Sequence, residues 1–489
     1  MDKIQFLTFK DQAIKGSFWT LIDLLFNKAI FYISTIILAR VLGPREFGLI
    51  GMITIFIAIG NSLIEGGLTT SLLRMRNPTK KDFSTVFFIN IVVSIFVYLV
   101  IFWVAPSISI FYEEPQLTEV IRVYATGFII VAFKSVHVVR LTVKLQFKNI
   151  TLFNLPGNII ASTVSIYLAY HGYGVWSLVV LFILNQLIST FIFWIGAKWK
   201  PSFLIDGKSA KKHFNFGYKL MISSQLNILY DNINNILIGK FFSARSLGYY
   251  ERAYTLNSYP TSIFSSILNK VTLPLLAKIK NDERLLIDLF YKVLRIIVFS
   301  SYLLCGILFL ISEELIYLLL GKDWQESILI FKILVFSFML YPIHTFNINI
   351  LNLFGRSDLF LKIEVLKKII AIFVIVVALT FGILGLVWGN VIISFFSLII
   401  NIYAASKVLK FKMKEALKII VTNSIVLIVA ILLNFIIIDK FINTNDLLQA
   451  IFKICVFLIV SIFIMEKIKL KSYYFVKAYL KRMIYDTSS

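Results

Sequence analysis

Charge is what this sequence has least of. Asp, Glu, Lys and Arg make up 15% of its 489 residues, against about 25% in soluble domains. Acids are the scarcer half, 26 against 49 Lys and Arg, which leaves a net charge of +23. Only two cysteines occur, Cys305 and Cys455, both inside apolar runs. That excludes a disulfide framework and leaves free buried thiols as the expectation. Four histidines without paired spacing give no metal-ligand pattern. There is no phosphate-binding Gly-rich loop, no Gly-x-Ser-x-Gly and no Cys/His cluster. Nucleotide hydrolysis, a metal centre and a bound cofactor are therefore not expected.

Hydrocarbon takes the place of charge. Hydrophobic residues are 59% of the chain and the mean hydropathy is +0.86. A membrane span needs ~20 mostly apolar residues. By that measure the chain reads as an all-α integral membrane protein of about fourteen transmembrane helices. They are expected near 17–41, 46–72, 83–105, 116–139, 151–170, 174–196, 213–240, 247–277, 287–312, 325–353, 358–381, 383–406, 416–438 and 446–465. Lys3, Lys10 and Lys15 precede the first run and no small-residue cleavage site follows, so that run is expected to remain as a span.

The basic residues fall mostly in alternate connections: Arg74, Arg76, Lys80 and Lys81; Arg140, Lys144 and Lys148; Lys198, Lys200, Lys208, Lys211 and Lys212; Lys407, Lys410, Lys412 and Lys414. The intervening connections are short and carry acids, as at Glu113, Glu114, Glu313, Glu314 and Asp439. Arg40, Arg45, Lys240 and Arg245 are exceptions. Lys and Arg accumulate on the cytoplasmic side, so both termini are expected in the cytoplasm. In a membrane chain this basicity reflects loops and the anionic leaflet rather than nucleic acid. The tail after 466, with Lys467, Lys469, Lys471, Lys477, Lys481 and Arg482, reads as a basic helix on that leaflet.

The chain also repeats itself. At a shift of 200 residues, Ile36, Arg45 and Gly48 meet identical residues at Ile236, Arg245 and Gly248, and Asn27 meets Asn227. Gly172-Tyr173-Gly174-Val175-Trp176 matches Gly382–Trp388 at a shift near 210. An even number of spans separates the copies, so the repeat is parallel, with its axis along the membrane normal. The expected organisation is a six-helix lobe at 1–206, a second at 207–410, two extra helices at 411–466 and a basic tail at 467–489. Two such lobes make a transporter architecture, with a cleft opening to one side at a time.

Charges inside spans cost ~2.5–3.5 kcal/mol each and usually face a cavity or one another. The first helix carries Asp23, Asn27, Lys28 and Ser34; the second Asn61 and Glu65; the seventh Asn227, Asp231 and Asn234; the eighth Arg252, Ser262, Asn269 and Lys270. Lys134 and His137 lie in the fourth and His344 in the tenth. Interhelical hydrogen bonding accounts for the Ser and Asn residues about as well as a cavity does. For Lys28, Glu65 and Asp231 a wet cavity is the better reading, and an Asp–Lys pair between helices the competing one.

Several stretches resemble a known family. Leu42-Gly43-Pro44-x-x-Phe47-Gly48, the basic segment Lys144–Lys148, Gly172-Tyr173-Gly174-Val175-Trp176-Ser177-Leu178-Val179 and Asn352-Leu353-Phe354-Gly355-Arg356 are similar to bacterial polysaccharide flippases. These are the Wzx-type lipopolysaccharide and teichuronic-acid exporters of the multidrug/oligosaccharidyl-lipid/polysaccharide superfamily. The resemblance runs from about residue 10 to 410. It implies transport of an undecaprenyl-diphosphate-linked oligosaccharide across the cytoplasmic membrane, with the bilayer and other polysaccharide assembly proteins as partners. For such cargo, Lys28, Lys134 and Arg252 would suit the diphosphate, and Asn27, Asn61, Asn227, Asn234 and Ser262 the sugars. Asp23, Glu65 and Asp231 would suit ion coupling. A multidrug/cation antiporter of the same superfamily is the alternative. A membrane polymerase is a weaker one, because the acidic connections are too short for a catalytic domain.

Overall fold

The computed structural model describes Trp19, Asp23 and residues 26–65, 67–75, 77–203, 206–438 and 446–478. Every regular element among them is helical. After α1 (26–42) come α2 (Pro44–Glu65), α3 (Leu68–Arg74), α4 (Lys80–Tyr112), α5 (Leu117–Val143), α6 (Phe147–Tyr170), α7 (Val175–Gly196), α8 (Gly207–Asp231) and α9 (Ile233–Phe241). Then follow α10 (Ala244–Lys278), α11 (Glu283–Leu310), α12 (Ser312–Leu319), α13 (Glu326–Leu353), α14 (Ser357–Leu379), α15 (Gly382–Leu409), α16 (Met413–Ile438) and α17 (Asp446–Lys467). A last helix, α18, covers 471–478. The side chains of Glu65, Asn269 and Lys270, and all of Arg76, Asp439, Lys481 and Arg482, lie outside the described residues.

Ten of the described helices are long and apolar enough to cross a membrane. This is a multi-pass membrane protein. The long helices α8, α10 and α14 also answer to expected spans but fall short on apolarity, because they carry the charges: Lys208, Lys211, Lys212 and Asp231; Arg245, Glu251 and Arg252; Lys362, Glu364 and Lys367. A helix that polar needs protein or water on one side.

Two expected single helices are broken. The run 46–72 divides into α2 and α3, and Gly67 there lies against the Gly217 carbonyl, an approach a Cβ would block. The run 213–240 divides at Asn232, which closes α8 and opens α9. The break falls among Asp231, Asn232, Asn234 and Asn235, where side chains can partner the freed backbone. Asn232 Nδ2 donates to the Ile228 carbonyl at 2.8 Å.

Element order repeats along the chain. α2 starts at Pro44 and α10 at Ala244, an offset of 200; α6 starts at Phe147 and α14 at Ser357, an offset of 210. α16 and α17 follow the second copy.

Compactness divides the chain at another point, into Met1–Gly248 and Tyr249–Ser489. In the first unit α4 packs on α5 and α6 on α7, while α8 and α9 lie against α2, α3 and α4. Its core is aromatic: Phe87 meets Trp194, Trp199 and Phe133 at centroid distances of 5.9–6.0 Å. His137 is fully buried between Trp194 and Trp199, so it is a packing residue. In the second unit α13 packs on α11 and α15, and α16 and α17 pack on α11 and α12. There the buried Glu314 of α12 pairs with Lys453 of α17.

Candidate functional site

The first unit holds a chain of polar side chains through α1, α6 and α7. Asp23 Oδ1 accepts from Asn27 Nδ2 at 2.6 Å. The same amide donates to the Thr151 carbonyl at 3.1 Å. Asn27 Oδ1 accepts from Asn158 Nδ2 at 2.9 Å, and Asn158 Oδ1 accepts from Asn185 Nδ2. Gly157 makes the last link possible, since a Cβ there would overlap the Ser189 hydroxyl and hold α7 away. Asn27 is buried and Asp23 half-exposed. The chain thus runs from a half-exposed carboxylate, its one acid, into the helix bundle through amides whose N–H groups donate toward that acid.

Asn158 and Asn185 escaped the sequence reading. Asn158 shares α6 with Asn149 and Asn154, and Asn185 stands beside Gln186 on α7, so nothing singles them out in the sequence except the position of Asn158 next to Gly157. The residues that reading named are distributed more widely. Lys28, next to the buried Asn27 on α1, is exposed. Lys134 on α5 donates to Gln186 Oε1 on α7 at 2.5 Å. Asn61 is half-buried on α2, and its Oδ1 lacks a hydrogen-bond partner among the described residues. Asn227 and Asp231 are exposed on α8, whereas Asn234 is buried in the first turn of α9. In the second unit Arg252 is half-buried on α10, and the exposed Ser262 returns its hydroxyl to the Tyr259 carbonyl at 2.9 Å. Of the named set only Asp23 and Asn27 are joined by a described contact. His344 Nε2 meets Ser394 Oγ at 3.0 Å and its Nδ1 meets Asn401 Nδ2 at 3.4 Å. No cluster that could hold a metal ion occurs among the described residues.

Two of the four exceptional basic residues, Arg45 and Lys240, find a reason at the α4–α5 turn. Glu114 accepts from Arg45 at 2.8 Å, and Glu113 from Lys240 at 3.0 Å. Adjacent acids thus clasp the α1–α2 corner and the end of α9. Beside them Gly48 and Gly248 sit reciprocally: a Cβ on Gly48 would fall on the Ala244 carbonyl, and one on Gly248 on the Pro44 carbonyl. That exchange, at an offset of 200 residues, is the contact pattern of two-fold-related copies.

The opposite end of α8 is pinned as well. Ser71 Oγ lies 2.8 Å from His213 Nδ1, whose Nε2 is 3.5 Å from Asp82 Oδ1. Asp82 also accepts from Ser209 and closes a capping box with Thr79. The trio has the composition of a hydrolytic triad, but Ser71, His213 and Asp82 are 7%, 0% and 6% exposed. No substrate reaches the hydroxyl, and the trio fastens α3, α4 and α8 together.

Long apolar helices in a repeated order, one helix broken at polar residues and an acid–amide chain inside the bundle define a membrane transporter fold. Residues 37–329 match the family of polysaccharide biosynthesis proteins, and the chain belongs to that family. It is similar to the teichuronic acid biosynthesis protein TuaB of Bacillus subtilis (strain 168), 23% identical over 350 residues, covering 71% of this chain and 72% of that protein. It is also similar to the lipopolysaccharide biosynthesis protein WzxC of Escherichia coli (strain K12), 22% identical over 410 residues, covering 82% of this chain and 83% of that protein. Among solved structures, the lipid II flippase MurJ in an inward closed conformation superposes with a TM-score of 0.70 at 17% identity, over 93% of this chain and 99% of that one. This likeness is one of fold.

Proposed function

We propose that this protein moves a lipid-linked oligosaccharide, carried on undecaprenyl diphosphate, from the cytoplasmic to the outer leaflet by alternating access, and that it forms no covalent bond. The observation that carries the proposal is the family match, which spans most of the first copy of the helix repeat and part of the second. The physics of the task agrees. Passing a hydroxyl-rich head through hydrocarbon without partners costs several kcal/mol per polar group, and a polar groove open sideways to lipid removes that cost while the polyprenyl tail stays outside. The two lobes are proposed at 1–206 and 207–410, a reading supported by the 200- and 210-residue offsets of the helices. Lys28, Lys134 and Arg252 are proposed to meet the diphosphate, and Asn61, Asn227, Asn234 and Ser262 the sugars. A diphosphate head bears about two negative charges, and an inside-negative potential drives each outward by ~2.3 kcal/mol per 100 mV. Asp23, at the mouth of the amide chain, is the leading site for a coupling ion, ahead of Glu65 and Asp231. Both termini are proposed to lie in the cytoplasm of a bacterial cell, a reading supported by the basic connections, and other polysaccharide assembly proteins are proposed as partners at the membrane.

Deleting the gene tests this. Complete lipid-linked repeat units should accumulate on the inner leaflet and the surface polymer should disappear. Incomplete units would indicate a transferase. The acid–amide chain also suits a second reading, a cation antiporter. That reading predicts normal surface polymer with raised sensitivity to cationic drugs.

A further inference from the structure

The cavity formed where α11, α16 and the α17–α18 corner meet is not used by the reading above. It measures about 270 Å³ and is lined by Arg295 of α11, by Glu415, Lys418, Thr422 and Asn423 of α16, and by Ile468, Lys469, Lys471 and Ser472 at the corner. The corner is fixed in place. Leu470 and Met465 are buried with Val426 against Phe299 and Leu303. Asn423 Nδ2 donates to the buried Ser472 hydroxyl at 3.3 Å. Lys469 itself adopts a left-handed backbone, φ +52°, a conformation that favours glycine.

Charge at this corner is unbalanced by construction. Three neighbouring bases have an acid: Lys477 with Glu466 at 2.6 Å, Lys292 with Asp288 at 2.6 Å and Lys410 with Glu283 at 3.9 Å. The Glu466 carboxylate also holds Lys477 above the usual lysine range. Among the described residues Arg295, Lys418, Lys469 and Lys471 have no such partner. They share one cavity with a single acid, Glu415, and with the hydroxyl and amide groups of Thr422, Asn423 and Ser472. Four cations against one anion, with neutral donors between them, is a phosphate-binding composition.

The apolar surroundings say which phosphate. On α16 the stripe through Lys418 and Thr422 continues as Ile425, Val429 and Leu432, all exposed, and Ile468 is exposed at the rim. A charged cup therefore stands at the end of a lipid-facing apolar strip, the shape of a headgroup followed by its acyl chains. We infer that this cavity binds the headgroup of a resident anionic phospholipid. The cargo is a poorer occupant, because the cavity takes a phosphate but has no room for an oligosaccharide, and its walls come largely from helices outside the repeat. The bound lipid would fix α16 and α17 against α11. The inference depends on the protein being embedded in a bilayer but not on what it transports.

The test uses purified full-length protein, with lipid binding followed by native mass spectrometry and by titration in nanodiscs. Phosphatidylglycerol should bind at least tenfold more tightly than phosphatidylcholine. The combined change R295A/K418A/K469A/K471A should abolish that preference, whereas K292A/K410A, which removes equally basic residues outside the cavity, should retain it. Thr422→Trp fills the cavity without altering its charge and should also abolish the preference, which separates loss of the site from loss of the fold. Retained preference in both cavity variants, or equal loss in K292A/K410A, overturns the inference. Undecaprenyl phosphate bound more tightly than phosphatidylglycerol, and lost with the same substitutions, overturns it in favour of the cargo. Loss of polysaccharide export with binding intact would bear on the transport reading alone.

Discussion

Two glycines and one amide chain carry the sharpest residue-level consequences. At Gly48 and Gly248 the obstacle to any side chain is a backbone carbonyl, which cannot rotate away as a side chain would. Overpacking of this kind costs about 1–3 kcal/mol. Gly48→Leu and Gly248→Leu should each lower the melting temperature of the purified protein by several degrees and abolish export. Gly207→Leu, with nothing within 4 Å of its Cβ, should change neither. The amide chain gives a different pattern. Asn158→Leu leaves Asn27 Oδ1 and Asn185 Nδ2 without their partner, and each buried unsatisfied group costs about 1–3 kcal/mol. Asp23→Asn keeps the shape and removes only the charge. If Asp23 couples an ion, that variant should fold with an unchanged melting temperature yet lose transport, whereas Asn158→Leu should lose both. Unimpaired transport by Asp23→Asn would remove it from the mechanism. None of these partners could be read from periodicity, which cannot say that Asn158 of α6 meets Asn27 or that Asn185 of α7 meets Asn158.

Among the elements, the spans themselves were the most legible part, because hydropathy over twenty residues averages out local irregularity. The breaks were not: at Gly67 the cause is a tertiary contact, the close approach of the Gly217 carbonyl, and at Asn232 a cluster of polar residues that hydropathy averages into one span. Ion pairing between elements was equally hidden, yet it explains two of the four exceptions to the charge rule. Glu113 and Glu114 hold Lys240 and Arg45 on a partly exposed surface, where such pairs contribute about 0–1 kcal/mol each. A clasp that weak suits a contact that opens in every transport cycle. Glu113→Gln/Glu114→Gln should thus leave the melting temperature within about 1 °C while raising thiol labelling of a cysteine placed near Gly48. Charge reversal in Lys240→Glu should be rescued by Glu113→Lys. The Glu314–Lys453 pair between α12 and α17 behaves oppositely. Both side chains are about nine-tenths buried, so Lys453→Ala strands a buried carboxylate, at about 3–5 kcal/mol. The double change Glu314→Leu/Lys453→Leu should be close to neutral. A thermal-stability series of the two singles and the double would show whether the pair is structural.

For the molecule as a whole, the remaining question is which face of this helix bundle meets the cytoplasm, and charge is what decides it. The α3–α4, α5–α6 and α7–α8 connections carry Arg74 and Lys80, Lys144 and Lys148, and Lys198 and Lys200, and the α15–α16 connection carries Lys410 and Lys412. The α4–α5 and α11–α12 junctions carry acids, and two of the bases facing them are neutralised by Glu113 and Glu114. Once those pairs are counted, the bases opposing the inferred orientation are halved. The long α4 strengthens the argument. Its 33 residues extend about 50 Å, well beyond a hydrocarbon core of ~30 Å, so α4 is long enough to carry Glu113 and Glu114 past the core into water. Because sidedness is carried by uncompensated Lys and Arg close to span ends, reporter fusions after residues 110 and 205 should report opposite sides, outside then inside. Fusions after 205 and 412 should agree. Equal sidedness at 110 and 205 would overturn the orientation and, with it, the direction in which the membrane potential could help the proposed cargo.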